Sequence, residues 1–203
     1  MRQVQKRPAG RPRDAEIDVR VLDVARRHLA RHGYEALSVS AVADDAGTTR
    51  QAVYRRWPTK ADLATAAVAA MSAAAERPAT DDPFADLVRE LEAYRRGIGR
   101  PDGVSMVGTM LVRSTDARLR ALYRERIVAP RRARLRAILE RARSSGLIAA
   151  DADVDVVVAM LTGSWYATAL AGEPHPDDWP HRVAALAWRA LGGEELPPPA
   201  RTT

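Results

Sequence analysis

Apolar residues recur at helical spacing along almost the whole chain, and strand-like alternation is found nowhere in it. Asp14 offers a cap and Glu16 an acid in the first turn of a helix carrying Ile17, Val21, Val24, Ala25 and Leu29 on one face; His32-Gly33 closes it. Ser38 caps a short second helix with a stripe of Val39, Val42, Ala43 and Ala46, and Gly47 breaks it. Thr49 caps a third helix, Arg50 to Trp57, whose inner face is Ala52, Val53 and Trp57 and which Pro58 stops. Thr59-x-x-Asp62 approximates a capping box, with Asp in place of Glu, for a fourth helix running to about Arg77. Further helices are predicted over Phe84 to Ile98, Val104 to Arg113, Thr115 to Ser144 with a kink or split at Pro130, Asp153 to Leu170, and Asp177 to Leu191 with Pro180 in its first turn. The fold class is therefore all-α, with about nine helices.

Charge divides this array. The first sixty residues hold 13 Lys/Arg against 7 Asp/Glu, whereas the remainder holds 19 of each. All the excess positive charge of a chain of net charge +6 sits in its first third, as expected of a module that faces a polyanion. The expected organisation is a flexible basic arm over 1–13, a DNA-binding unit over 14–60, a helical unit over 61–192, and a flexible Pro-rich tail over 193–203. There are no cysteines, which excludes disulfides, thiolate metal sites and a Cys nucleophile. No apolar run reaches membrane-spanning length and the basic N-terminus lacks the apolar stretch of a secretory signal, so a cytoplasmic protein with no membrane partner is expected.

Residues 39–57 meet the physical requirements of a helix-turn-helix. Two short helices pack apolar faces on a third, a glycine sits in the turn Ala46-Gly47-Thr48, and the second short helix opens with exposed polar residues, Thr49, Arg50 and Gln51. Arg pairs with guanine and Gln with adenine through two hydrogen bonds each. Tyr54, Arg55, Arg56 and Lys60 extend the polar face toward phosphates, with Arg55 and Arg56 equally readable as solvated. Ala9-Gly10-Arg11-Pro12-Arg13 resembles half of an AT-hook core, which makes Arg11 a candidate minor-groove contact.

The run from Ala46 through Tyr54, Trp57, Pro58 and Lys60 to Leu63, with Gly33-Tyr34 and Leu37-Ser38-Val39 before it, resembles the signature of the TetR family of repressors over about residues 17–64. Thr48 stands where the family usually has Val and Trp57 where it usually has Phe. The resemblance implies DNA contacts from Thr49, Arg50, Gln51 and Tyr54 on the recognition helix and phosphate contacts from Ser40 and Lys60. It also implies a homodimer built from the last helices, a palindromic double-stranded operator, and release by a small-molecule effector. In this sequence the dimer candidates are Val157, Leu161, Ser164, Val183 and Leu186. The candidates for a mostly apolar ligand pocket are Tyr94, Met106, Met110, Tyr123, Trp165 and Tyr166, each also readable as plain core. Arg113 is a candidate partner for an acidic ligand.

Other chemistry is thin. His28 and His32 share a helix face, but no third ligand is evident, and no metal or other cofactor is expected. No phosphate-binding Gly-rich loop, H-E-x-x-H or G-x-S-x-G motif occurs, so the chain is not read as an enzyme. The arginines from Arg131 to Arg143 form either a second nucleic-acid surface or a solvated helix face. The competing functional classes are a ligand-independent helical activator or nucleoid-type protein, and a helical enzyme or interaction module, against which the missing catalytic motifs argue.

Overall fold

The computed structural model describes residues 11–72, 78–99 and 116–193, and all regular structure among them is helical. The elements are α1 (Arg11–His32), α2 (Val39–Asp45), α3 (Arg50–Arg56), α4 (Lys60–Ser72), α5 (Pro83–Ile98), α6 (Ala117–Tyr123), a π-helical turn (Arg124–Val128), α7 (Ala129–Ser144), α8 (Val154–Leu170) and α9 (Trp179–Ala190). Because α6, the π turn and α7 follow without a break, the described residues form eight helical rods. The expected helix over 104–113, with Met106, Met110 and Arg113, lies outside the described residues, as do most of the N-terminal arm and the C-terminal tail.

Local chemistry sets most of the boundaries. Ser38, Thr49, Asp82, Asp116 and Asp153 each accept a backbone N–H at the start of a helix. Asp14 does not act this way: α1 already runs from Arg11, so Asp14 lies within the helix. Gly47 ends α2 at φ +65°, with its N–H bonded to Asp44 O and that of Thr48 to Ala43 O, the paired bonds of a left-handed helix stop. No atom lies within 4 Å of a Cβ built on Gly47, so the demand for glycine is purely conformational. Gly47→Ala should therefore cost about 1 kcal/mol of unfolding free energy, read as a lower urea midpoint with an unchanged slope.

Pro130 does not split its helix. It lacks an N–H and its ring clashes with the carbonyl four residues back. The preceding turn widens instead, and Ala129 N bonds Arg124 O, five residues earlier.

Packing makes α4 the hinge of the architecture. It lies against α1 on one side and against α5, α6 and the π turn on the other. The core of the reading head gathers Val21, Val24, Ala25, Leu29, Leu37, Val42, Ala43 and Val53; that of the larger unit gathers Leu87, Leu91, Leu119, Leu135, Leu139, Val158 and Leu161. Leu63, Ala64, Ala67 and Val68 of α4 are buried between them, so one continuous core runs through both units. Among the described residues no helix is long and apolar enough to cross a membrane.

Candidate DNA interface and its link to the C-terminal helices

The second short helix presents the expected polar residues. Thr49, Arg50, Gln51 and Arg55 are exposed on and just before α3, and Ser40 is exposed at the start of α2. Thr49 Oγ1 accepts the Ala52 N–H at 3.1 Å, which fixes the first turn and leaves the hydroxyl proton to donate elsewhere. The Arg50 guanidinium lies 5.2 Å from the centre of the Tyr54 ring and donates to its hydroxyl at 3.4 Å. Tyr54 is half-buried against the core, so it is a platform for the exposed Arg50 guanidinium. Arg11 falls in the first turn of α1; its side chain lies outside the described residues.

Two basic residues turn inward. Arg56 pairs with Asp18 of α1 at 2.5 Å and donates to Ala52 O at 3.1 Å, clamping α3 onto α1. Lys60 sits 4.6 Å from the centre of the Tyr34 ring and donates to Glu35 O at 2.7 Å. An ammonium has three N–H groups, so Lys60 keeps donors for a phosphate while anchoring the head of α4 to the α1–α2 link. His28 Nε2 lies 2.8 Å from Asp45, tying α1 to the end of α2.

Behind this face lies a polar latch that the sequence reading did not identify. Asp62, in the first turn of α4, is only 4% exposed. It accepts the Thr59 hydroxyl at 2.6 Å, Arg118 at 3.2 Å and Arg126 at 3.1 Å. Beside it, the Tyr34 hydroxyl donates to Asp116, the cap of α6. Burial works to raise the pKa of Asp62, but the Thr59 bond and then the two guanidiniums outweigh it and hold the carboxyl below its usual range. The bond from Tyr34, against the pull of burial, likewise holds Asp116 low. The reading head is thus tied to α6 and the π turn through two carboxylates. The odd Asp of Thr59-x-x-Asp62 was the available signal: its shorter chain receives the Thr59 hydroxyl and the arginines rather than completing a capping box.

Four arginines of α7 pair with carboxylates: Arg134 bonds Glu90 at 2.8 Å, Arg141 bonds buried Asp86 at 2.5 Å, and Arg136 and Arg143 pair with Asp155 and Glu140, while Arg131 lies 4.7 Å over the Tyr94 ring. The arrangement is that of a charged helix face.

Four pocket candidates fall in one aromatic cluster. Tyr94 packs edge-on to Trp165 (centroids 6.2 Å apart) and Tyr166 (6.5 Å), and Trp179 joins at 4.9 Å from Trp165. Tyr123 is buried on the neighbouring α6. Burial, then Tyr166, push the Tyr94 and Tyr123 hydroxyls far above their ordinary range, so both remain neutral donors. Of the dimer candidates, Val157 and Leu161 are buried in the protomer's own core, Ser164 and Val183 are half-buried, and Leu186 is exposed. The open face of α8 carries Val156, Met160, Gly163, Ala167 and Leu170 instead. Period alone could not separate these faces, because α8 is apolar nearly all round.

Comparison with known proteins agrees with the geometry. Residues 21–67 match the family model "Bacterial regulatory proteins, tetR family", and residues 77–187 match "Tetracyclin repressor-like, C-terminal domain". An uncharacterized HTH-type transcriptional regulator of Mycobacterium tuberculosis is 34% identical over 75% of this chain and 73% of its own length. A crystal structure of a TetR family transcription regulator shares 32% identity at TM-score 0.61, covering 88% of this chain and 98% of that one. The transcriptional regulator FadR from Bacillus subtilis, crystallised with stearoyl-CoA, shares the fold at TM-score 0.63 and 19% identity, over 87% and 98% of the two chains. A helix-turn-helix with an exposed polar α3, a linking α4 and a larger helical unit behind it, matched by family models across both parts, leaves one assignment: the chain belongs to the TetR family of transcriptional regulators.

Proposed function

We propose that this protein is a dimeric repressor that binds a palindromic operator through α3 and is released from it by a small, mostly apolar effector. The observation that carries the reading is the position of α4. Its head is held to both the α1–α2 link and α6 by Lys60, Asp62 and Asp116, a route by which a shift of α6 would be passed to the reading head. A ligand that favours a different spacing of α6 then favours a different separation of the two α3 helices, and only one separation matches successive major grooves about 34 Å apart.

The effector site is assigned to the aromatic cluster of Tyr94, Tyr123, Trp165 and Tyr166, whose neutral phenols are donors among apolar rings, with the Arg131 guanidinium 4.7 Å over the Tyr94 ring. Ser40, Thr49, Arg50, Gln51, Tyr54, Arg55 and Lys60 are assigned to DNA.

Dimerisation is assigned to the outer faces of α8 and α9. Val156, Met160, Gly163, Ala167 and Leu170 follow the alternating spacing of four and three that a helix-packing seam uses, and Leu186 of α9 is exposed as well. Met160→Arg should leave the melting profile of the protomer intact, because Met160 is exposed, yet convert the protein to a monomer in sedimentation at micromolar concentration. A dimer persisting in that variant contradicts the assigned face.

The test of the function is a gel shift on the DNA upstream of the protein's own coding region, followed by a screen of small molecules for release. Binding that shows no sequence preference and no ligand response favours the nucleoid-type alternative.

A further inference from the structure

We propose that a cleft at the end of α5 binds the carboxylate of a small aromatic acid, and that it forms the polar end of the effector site; this rests on the ligand-responsive reading above. The cleft holds about 460 Å³ and lies between the last turn of α5, the middle of α8 and the turn before α9. Arg95, Arg96, Gly99, Trp165, His175 and Asp177 line it. Its volume lies within the range of small-molecule sites.

Two donors of its lining residues are buried behind the cleft surface. The Trp165 indole N–H and Arg95 Nε are both buried without a hydrogen-bond partner. Trp165 itself is only 4% exposed. Neither atom reaches the cleft surface, so the groups open to a ligand are the guanidinium ends of Arg95 and Arg96, whose side chains are 37% and 58% exposed.

The charges agree. Arg95 and Arg96 have only loose internal counterions: Asp177 lies 3.6 Å from Arg95 and is fully exposed, and Glu92 lies 3.7 Å from Arg96 on the open helix surface. Exposed pairs of this length are weak and exchangeable. Asp177 is the chain's own stand-in, a carboxylate already resting at Arg95, and a ligand carboxylate backed by an aromatic ring displaces it into water. A guanidinium matches a planar carboxylate through two parallel hydrogen bonds.

The aromatic wall is fixed. His175 stacks on Trp165 with centroids 3.5 Å apart and planes 17° apart. Its Nε2 is 2.8 Å from the Trp165 carbonyl oxygen. That oxygen only accepts, so Nε2 donates to it and holds the imidazole flat against the indole. Gly99 keeps the wall open, since a Cβ there stands 2.7 Å from Arg95 O and 3.5 Å from the Trp165 ring.

Calorimetric titration of the full chain with 1-naphthoate, and with its uncharged amide, tests this. The acid should bind about tenfold tighter than the amide. In Arg95→Gln/Arg96→Gln, checked for folding by circular dichroism, the preference should shrink to about twofold or less. Asp177→Asn, at a fully exposed position that cannot disturb the core, should tighten naphthoate several-fold by removing the competitor. Excess inorganic phosphate should leave the naphthoate titration unchanged. No naphthoate binding, equal binding of acid and amide, a preference that survives loss of both arginines, or displacement by phosphate overturns the carboxylate assignment. Naphthoate binding by the arginine-dependent route without operator release upholds this site and overturns the ligand-responsive reading; release by a ligand that ignores the arginines does the reverse.

Discussion

Replacing Arg50 by Ala should lower operator affinity by on the order of a hundredfold, because each base-reading guanidinium contributes about 1–3 kcal/mol and a two-fold dimer loses it twice. The fold should not change. Arg50 is exposed, its contacts are the ring and hydroxyl of Tyr54, and the Thr49 cap that starts α3 does not involve it. Arg50→Lys separates two roles. A lysine keeps the charge but not the fork, so a phosphate contact survives it and a guanine contact does not. Lys should rescue little, and the lost affinity should be confined to one base position in each half-site. Fluorescence anisotropy on a labelled operator and on single-base variants reads both. Full rescue by Lys reassigns Arg50 to the backbone.

The second large effect belongs to the latch. Asp62→Ala should lower unfolding free energy by about 2 kcal/mol, less than a fully buried ion pair would lose because Arg118 and Arg126 are each roughly half exposed. The sign of its pH dependence follows from the direction of the shift. The folded-state carboxyl titrates below its ordinary value of 3.8, so its stabilisation is complete above that value and is lost as the pH falls below it. The gap between wild type and Asp62→Ala in urea unfolding should therefore be constant near neutrality and close as the solution is acidified below the ordinary carboxylate range. Asp62→Asn keeps a partner for the Thr59 hydroxyl and removes the charge, so it should recover part of the stability. What it should not recover is the coupling: operator affinity should become less responsive to effector in both variants, since α6 no longer pulls on α4. A gap that persists unchanged in acid shows that the loss is one of packing.

The reading head was legible in the sequence because its determinants are local. Gly47 is required by a single positive φ, Ser38 and Thr49 cap the helices that follow them, and the charge excess marks the face. The C-terminal unit was legible as helices but not as surfaces. The stripe Val157, Leu161 reads as an interface on a helix that is apolar on both sides, and only packing against α7 and α9 shows that this side is already covered. The latch was hidden for a different reason. Asp62 meets Arg118 and Arg126 across more than fifty residues of chain, and long-range ion pairs leave no periodic trace. Arg56 was ambiguous for the same reason until Asp18 supplied its partner.

The central claim is that a family member with this reading head acts as a symmetric, sequence-selective regulator, and a nuclease footprint of the full-length protein on the DNA upstream of its own coding region addresses it most directly. The account predicts one protected region with two-fold sequence symmetry, its half-sites a helical turn apart or a multiple of that, and no such region with Arg50→Ala at the same concentration. Uniform protection along the fragment, unchanged by that substitution, would contradict it.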